Sequence, residues 1–460
     1  MTSTQRGSGY VVLISAVAAV GGFLFGYDTA VVNGTVGALE MHFRADPGRL
    51  GFAVASALLG SAVGALIAGR VADRWGRVQA MKWTALFFAV SSIGSGFAQA
   101  LWSFSAWRFL GGISVGAASV IAPAYIAEVA PARMRGRLGS LQQLAIVVGI
   151  FLALAVNDLI AHTAGSPEAP FWFGVPAWRW MFWVEVVPAA IYGLGAFFVP
   201  ESPRHLVAAG RAKEAAVILD KIGEPDVPGR IKDIQKTVGA KRPRIADLKS
   251  PAGGLLPIVW VGIGLSVFQQ FVGINVIFYY STTLWHSVGF TQNDSMRISS
   301  ITGVINILTT LIAIAFVDRF GRKPLLLAGS VGMAATLGTM AVLFAKAPLD
   351  ATGSPVLSGS SGMAALVAAN LYVFAFGFSW GPIVWVLLGE MFNNRIRGAA
   401  LALAASAQWV ANWLVTLTFP GLAKAGLGLA YGLYTAAAAL SFFLVTRFVR
   451  ETKGRTLEEM

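Results

Sequence analysis

The chain has 460 residues, of which 56% are hydrophobic and only 12% charged, a net charge of +13 and no cysteine. That balance excludes a soluble globular domain and places the chain in a membrane. The missing cysteines exclude a disulfide framework, a thiol nucleophile and a thiolate metal site. The four histidines, His42, His162, His205 and His286, lack ligand spacing, so no metal and no cofactor is expected.

Twelve apolar stretches of roughly 20 residues, the length a helix needs to cross a bilayer, follow one another along the chain. They begin near Val11, Gly51, Gln79, Leu101, Leu138, Trp178, Leu255, Met296, Pro324, Met363, Gly398 and Leu427. The first has Arg6 ahead of it and Asp28 within it, so it does not read as a cleaved signal peptide. Six spans precede the polar segment Pro200 to Gly254 and six follow it, which divides the chain into residues 1–199, 200–254 and 255–460.

The polar segment carries its own helix signals. Ser202-Pro203 reads as an N-cap and first helical residue, Ala212 to Ile222 as a helix stopped by Gly223, and Arg230 to Val238 as a second short helix. Two readings compete, a plain linker and a helical latch bridging the halves. Asn33-Gly34-Thr35 and Asn293-Asp294-Ser295 match the glycosylation pattern, the first beside a span.

Sidedness follows from basic residues, which keep short loops cytoplasmic. Of the 35 Lys and Arg, only Arg44, Arg49, Arg179, Arg297, Lys346 and Lys424 fall in the odd-numbered connections, and only Arg108 lies inside a span. Both termini and the central segment are therefore expected in the cytoplasm. This asymmetry accounts for the positive charge without nucleic acid.

A charged phrase appears twice: Asp73-Arg74-Trp75-Gly76-Arg77 returns as Asp318-Arg319-Phe320-Gly321-Arg322. Glu128 through Arg133 and Arg135 recurs as Glu390 through Arg397, and the Glu201 region recurs near Glu451. Such repeats mark two related halves. The glycines permit sharp turns. A carboxylate there can face a helix N-terminus, while the arginines can pair with Glu128, Glu201, Glu390 or Glu451 and tie cytoplasmic helix ends together. Positive-inside topology alone is the competing reading of any single arginine.

These phrases, with Gly21 through Asp28, Arg108-Phe109-Leu110-Gly111-Gly112, Pro200-Glu201-Ser202-Pro203-Arg204, Gln269 through Asn275, Gly381-Pro382 and Glu451-Thr452-Lys453-Gly454, occur in order over essentially the whole length. The chain resembles the sugar porters of the major facilitator superfamily, and among them the bacterial proton-coupled xylose and glucose symporters. The resemblance implies a major facilitator fold of two six-helix bundles, a sugar site midway across the membrane, and rocking of one bundle against the other. It also implies a multi-pass protein of the cell membrane, a monomer by analogy, and no enzyme.

On that resemblance Gln143, Gln269, Gln270, Asn275, Asn306, Gln408 and Asn412 match amide positions, and amides both donate to and accept from sugar hydroxyls without bringing a charge into the membrane. Trp385 and Trp409 offer flat apolar faces to a pyranose, and Tyr279 and Tyr280 extend the cluster. Ile150 and Phe278 look like the glucose-carrying members, where a similar xylose-dedicated transporter has Gln and Leu. The order of expectation is D-glucose, then xylose, then galactose or an inositol. Gly273 and Gly381-Pro382 mark places where spans seven and ten can bend, as outer gates.

An unpaired charge inside a span costs about 2.5–3.5 kcal/mol even on the lenient insertion scale, so Asp28 and Arg108 are expected to pair. Protonation of Asp28 would loosen the pair and couple a proton to the conformational change. The proton-coupled members resemble this chain in carrying Asp there, and the facilitative carriers have Asn. Glu185 is expected to hold Arg108 or relay for it. Rival readings are passive facilitated diffusion, a sugar sensor, whose known examples have longer cytoplasmic tails, and a membrane enzyme.

Overall fold

The computed structural model describes residues 3–131, 135–238, 245–250, 253–349, 355–357, 359–392 and 396–452. Among them every extended element is a helix, and the only β-pairing is isolated bridges such as Pro170 with Pro176. The helices are α1 (Ser3–Val31), α2 (Val36–Phe43), α3 (Pro47–Trp75), α4 (Arg77–Phe97), α5 (Leu101–Val129), α6 (Arg135–Ala164), α7 (Ala177–Trp183) and α8 (Val186–Phe198). Three short ones follow, α9 (Pro203–Ala208), α10 (Ala212–Lys221) and α11 (Val227–Val238). The second half has α12 (Pro257–Phe271), α13 (Ile274–Ser287), α14 (Gln292–Phe320), α15 (Arg322–Lys346), α16 (Gly359–Gly377), α17 (Trp380–Met391), α18 (Arg397–Ala425) and α19 (Leu427–Phe448).

Among the described residues eleven spans are long and apolar enough to cross a membrane, with α7–α8, α12–α13 and α16–α17 each counting as one. The twelfth is α4, whose 21 residues also suffice in length. Lys82, Thr84, Ser91, Ser92 and Ser95 lower its hydropathy, and four of these five polar side chains are buried against neighbouring helices. The expected starts agree to within about four residues except at α1, which extends eight residues further back, to Ser3. Large apolar side chains such as Leu13, Trp102, Leu194, Phe198, Leu433 and Phe443 are exposed around the outside, as a lipid-facing perimeter requires.

Close packing comes from small residues. Gly60 and Gly64 of α3 lie against the Phe109 and Ile113 carbonyls of α5, while Gly112 and Gly116 of α5 lie against Ala57 and Ser61 of α3. Two small-xxx-small faces are pressed together, which leaves no room for a Cβ. In the same way Gly26 of α1 meets Ile146 of α6, and Gly149 of α6 meets Phe23 of α1. The second half pairs α15 with α19 and α12 with α18. The halves touch through α3 with α18 and α6 with α14.

Those contacts close the arginine-poor end. Gly51, near the start of α3, backs onto the Leu417 carbonyl and the Pro420 ring of α18. The Thr282 backbone N–H of α13 donates to Asn33 Oδ1 at 2.8 Å. Asn33 is buried at 2% exposure, so this glycosylation match is not an acceptor site. The neighbouring helix α2 was not legible in the sequence, being eight residues long and set between spans.

The central segment is helical as expected, with Ser202 Oγ capping α9 by accepting from the Arg204 and His205 backbone N–H groups. Its last helix begins at Val227 rather than Arg230, because Asp226 Oδ1 accepts from Gly229 N at 2.9 Å and Pro228 fits the first turn. Leu206, Val207, Ala215 and Ile234 give α9–α11 a small core of their own. The segment contacts α5 through α9 and α18 through the turn Ile245–Leu248, so it touches both halves.

Candidate functional site

Spans seven and ten are discontinuous. Gly273, at φ +81°, stops α12 and starts α13, a left-handed conformation that glycine adopts without strain. In span ten, Pro382 supplies no N–H for the Phe378 carbonyl, and the chain breaks at Phe378–Ser379 before α17 resumes. Both breaks face a cavity between the halves, with about 730 Å³ of space including its opening to solvent.

Gln143, Ile150, Gln269, Gln270, Asn275, Phe278, Asn306, Trp385, Gln408, Trp409 and Asn412 all line this cavity. Phe25, Thr29, Ile146, Ile274, Thr310 and Phe376 line it too and were not singled out in the sequence. Thr29 and Thr310 had a signal, since one follows Asp28 and the other lies one turn beyond Asn306. The apolar residues had none, because an apolar side chain in a span looks alike whether it faces lipid, core or ligand.

Tyr279 departs from expectation. It is buried at 2% exposure and does not line the cavity, and the same holds for Tyr280. The Tyr279 hydroxyl lies against Thr29 and Asn412, with Asp28 and Arg108 behind it. Tyr279 is therefore within reach of two cavity-lining residues and of the buried charges without lining the cavity itself, because one step along α13 from Phe278 turns a side chain about 100° round the helix.

The amides are linked to one another. Asn275 Nδ2 donates to Gln270 Oε1 at 2.5 Å, and Gln270 Nε2 donates to Gln269 Oε1 at 3.3 Å. The Gln269 amide nitrogen is committed to backbone, donating to the Trp380 and Gly381 carbonyls at 2.8 and 3.1 Å. Among the described residues Gln408 Oε1 is buried with no hydrogen-bond partner, an acceptor beside a cavity that a hydroxyl could fill. Trp409 packs at 5.1 Å from Phe25, joining the halves across the cavity.

Beside the cavity lies a buried ion pair. Arg108 of α5 holds Asp28 of α1 through Nη1 to Oδ1, through Nη2 to Oδ2 at 3.1 Å, and through Nη2 to the Asp28 carbonyl at 3.3 Å. The side chains are 2% and 8% exposed. Among the described residues Glu185 forms no salt bridge with Arg108, where one was expected: its carboxylate accepts from Ser92 Oγ at 2.6 Å, and Oε1 has no hydrogen-bond partner there. Glu185 lies between α7 and α8, and its tie is to the Ser92 hydroxyl of α4.

The repeated loops make one geometry twice. Gly76 and Gly321 turn the chain at φ +96° and +88°. Arg77 pairs with Glu128 at 3.0 Å and with Asp73 at 3.0 Å, and Arg322 pairs with Glu390 at 2.8 Å. Glu201 accepts from the Arg77 and Val78 N–H groups at 2.9 and 3.2 Å, and Glu451 from Arg322 and Lys323 at 3.0 and 2.9 Å. Each glutamate thus caps a helix N-terminus. Ser202 donates to Glu128 as Thr452 does to Glu390. The carboxylates that face helix ends are thus Glu201 and Glu451, and the described pairs stay within their own half. Arg74 and Arg319 lie over the Trp75 and Phe320 rings. Arg133 and the side chains of Arg135, Asp318 and Arg397 lie outside the described residues.

Two related helical halves closing on a polar cavity with helix breaks at its wall define a membrane transporter. The chain belongs to the sugar (and other) transporter family, whose model matches residues 14–460. It is 62% identical over 454 residues to the glucose transport protein of Synechocystis sp. (strain ATCC 27184 / PCC 6803 / Kazusa), covering 98% of this chain and 97% of that protein. It is 38% identical to the D-xylose-proton symporter of Escherichia coli (strain K12), covering 100% of this chain and 96% of that one. The partially occluded inward-open structure of the xylose transporter XylE from E. coli superposes with a TM-score of 0.84 at 36% identity, over 98% of this chain and 100% of the other. The fold is thus the major facilitator fold of two six-helix bundles and a helical linker.

Proposed function

We propose that the protein is a proton-coupled monosaccharide symporter, with D-glucose as its principal cargo, working by alternating access. The observation that carries this reading is a cavity lined by seven amides and two tryptophans, beside a buried Asp28–Arg108 pair. Amides recognise hydroxyls, tryptophan faces recognise the C–H face of a pyranose, and a buried carboxylate that can exchange a proton supplies the coupling. Residues 1–199 and 255–460 are the two rocking units, 200–254 is the latch, both termini are cytoplasmic, and the carrier is a monomer in the cell membrane.

In this reading an outside proton neutralises Asp28 and releases Arg108. Tyr279, between the pair and Asn412, passes the rearrangement to the sugar site. Glu185, held by Ser92 and within electrostatic reach of Arg108, is the acceptor offered to the freed guanidinium. The Glu201 and Glu451 caps and the Arg77 and Arg322 pairs keep each half rigid at the cytoplasmic end as the halves tilt. The likeness to the glucose transport protein supports glucose, and Ile150 and Phe278 in the cavity wall support a hexose. D-xylose is the second reading, favoured by the likeness to the D-xylose-proton symporter.

The test uses purified protein in proteoliposomes. Adding D-glucose outside is expected to alkalinise the external medium as sugar enters; entry without proton uptake identifies facilitated diffusion instead. Counterflow with a panel of labelled sugars reads the cargo. Competition by pentoses and not by hexoses would overturn glucose in favour of xylose.

A further inference from the structure

The two helix breaks are fastened to each other. At the first, Val276 N–H turns to the Gly273 carbonyl at 3.1 Å, which leaves the Val272 carbonyl without its helical donor. The Tyr372 hydroxyl of α16 takes that place, donating to Val272 O at 2.7 Å. Tyr372 is fully buried and does not line the cavity. In the other direction Gln269, on the last turn of α12, gives its amide N–H groups to the Trp380 and Gly381 carbonyls, the first two of α17. Trp380 is anchored in turn, its indole N–H shared between the Leu326 carbonyl and Ser330 Oγ at 3.0 Å each. The end of α12 therefore grips span ten on both sides of its break.

We propose that Tyr372 and Gln269 form a cross-brace that makes the two breaks a single hinge, so that spans seven and ten change conformation together and not as independent gates. Tyr372 is a positioning residue, acting on backbone and never on sugar. Gln269 acts through its nitrogen on the hinge, while its Oε1 joins the chain Gln270–Asn275 that reaches the cavity. A sugar hydroxyl that competes for Asn275 therefore pulls on the same brace. The inference rests on the alternating-access reading only for the existence of a form with the arginine-poor end open.

The natural absence of cysteine makes the hinge readable. Thr282 is buried at the arginine-poor seam, its N–H bonded to Asn33, so Thr282→Cys reports opening of that end through its reaction with a membrane-impermeant maleimide, measured without sugar. Losing a donor to a buried carbonyl shifts a conformational equilibrium by about tenfold. Tyr372→Phe and Gln269→Met are each expected to raise the labelling rate about tenfold, and the double variant to match either single one within about twofold. Multiplied effects, about a hundredfold in the double variant, mean two independent hinges and overturn the proposal, as does an unchanged rate in Tyr372→Phe. If Tyr372→Phe is lost from the membrane, Gln269→Met decides alone, and an unchanged rate there overturns the brace. A parent that never labels counts against alternating access and the brace together, whereas a parent that labels while the variants match it counts against the brace only.

Discussion

Replacing Asp28 by Asn makes the protonated state permanent without changing the side chain's shape. At about 3 Å and an effective dielectric of about 20, the gross attraction between Asp28 and Arg108 is about 5 kcal/mol, and two guanidinium nitrogens share it. Breaking a buried pair by removing one partner costs about 3–5 kcal/mol, since the other charge remains in a low-dielectric site. Asn keeps one acceptor oxygen, so the lower end applies: about 3 kcal/mol, or about two orders of magnitude in the balance between the paired and released forms. In proteoliposomes with an imposed inward proton gradient, Asp28→Asn is expected to lose uphill accumulation of D-glucose. Counterflow exchange is expected to persist with an apparent affinity within about threefold of the parent, because Asp28 does not line the cavity. Accumulation against the sugar gradient by this variant would refute the coupling argument.

Gln408→Leu removes a buried acceptor that has no protein partner, so it is expected to weaken sugar binding about tenfold or more with little change in Tm, read by equilibrium binding and thermal unfolding in detergent. Gly273→Ala forces a Cβ within 2.6 Å of the Tyr434 ring at a backbone φ of +81°; a loss of about 2–4 kcal/mol is expected from overpacking and backbone strain, and an unchanged Tm would contradict it. His42, at the arginine-poor end, takes a hydrogen bond at 3.2 Å from Arg179, which can only donate, so the ring nitrogen there is unprotonated. Partial burial, then the Arg179 charge, lower its pKa from 6.5. The folded state thus binds fewer protons than the unfolded one, and this contribution to stability is complete above about pH 6.5 and shrinks as pH falls through the lowered value. The side chain is largely exposed, so the effect is small and screened. His42→Gln is expected to flatten this part of the Tm-against-pH curve, and an unaltered slope would count against the contact.

The sequence by itself determined the class of molecule, the number and order of spans and their division into halves. Those depend on length, hydropathy and repetition, which are local or periodic properties. It also pointed to the amides and tryptophans of the cavity wall, though not to its threonines or most of its apolar residues, because an amide in a span is costly unless it has a partner or a ligand, and so carries information wherever it occurs. Tertiary structure alone decided the partners. Glu201 and Glu451 cap helix ends, Glu185 bonds the Ser92 hydroxyl, Tyr279 backs the cavity instead of lining it, and Asn33 seals a seam. Whether Gln269 spends its nitrogen on a sugar or on the carbonyls of α17 depends on where span ten breaks. That break is placed by Pro382, more than a hundred residues away in sequence and a hydrogen bond away in space.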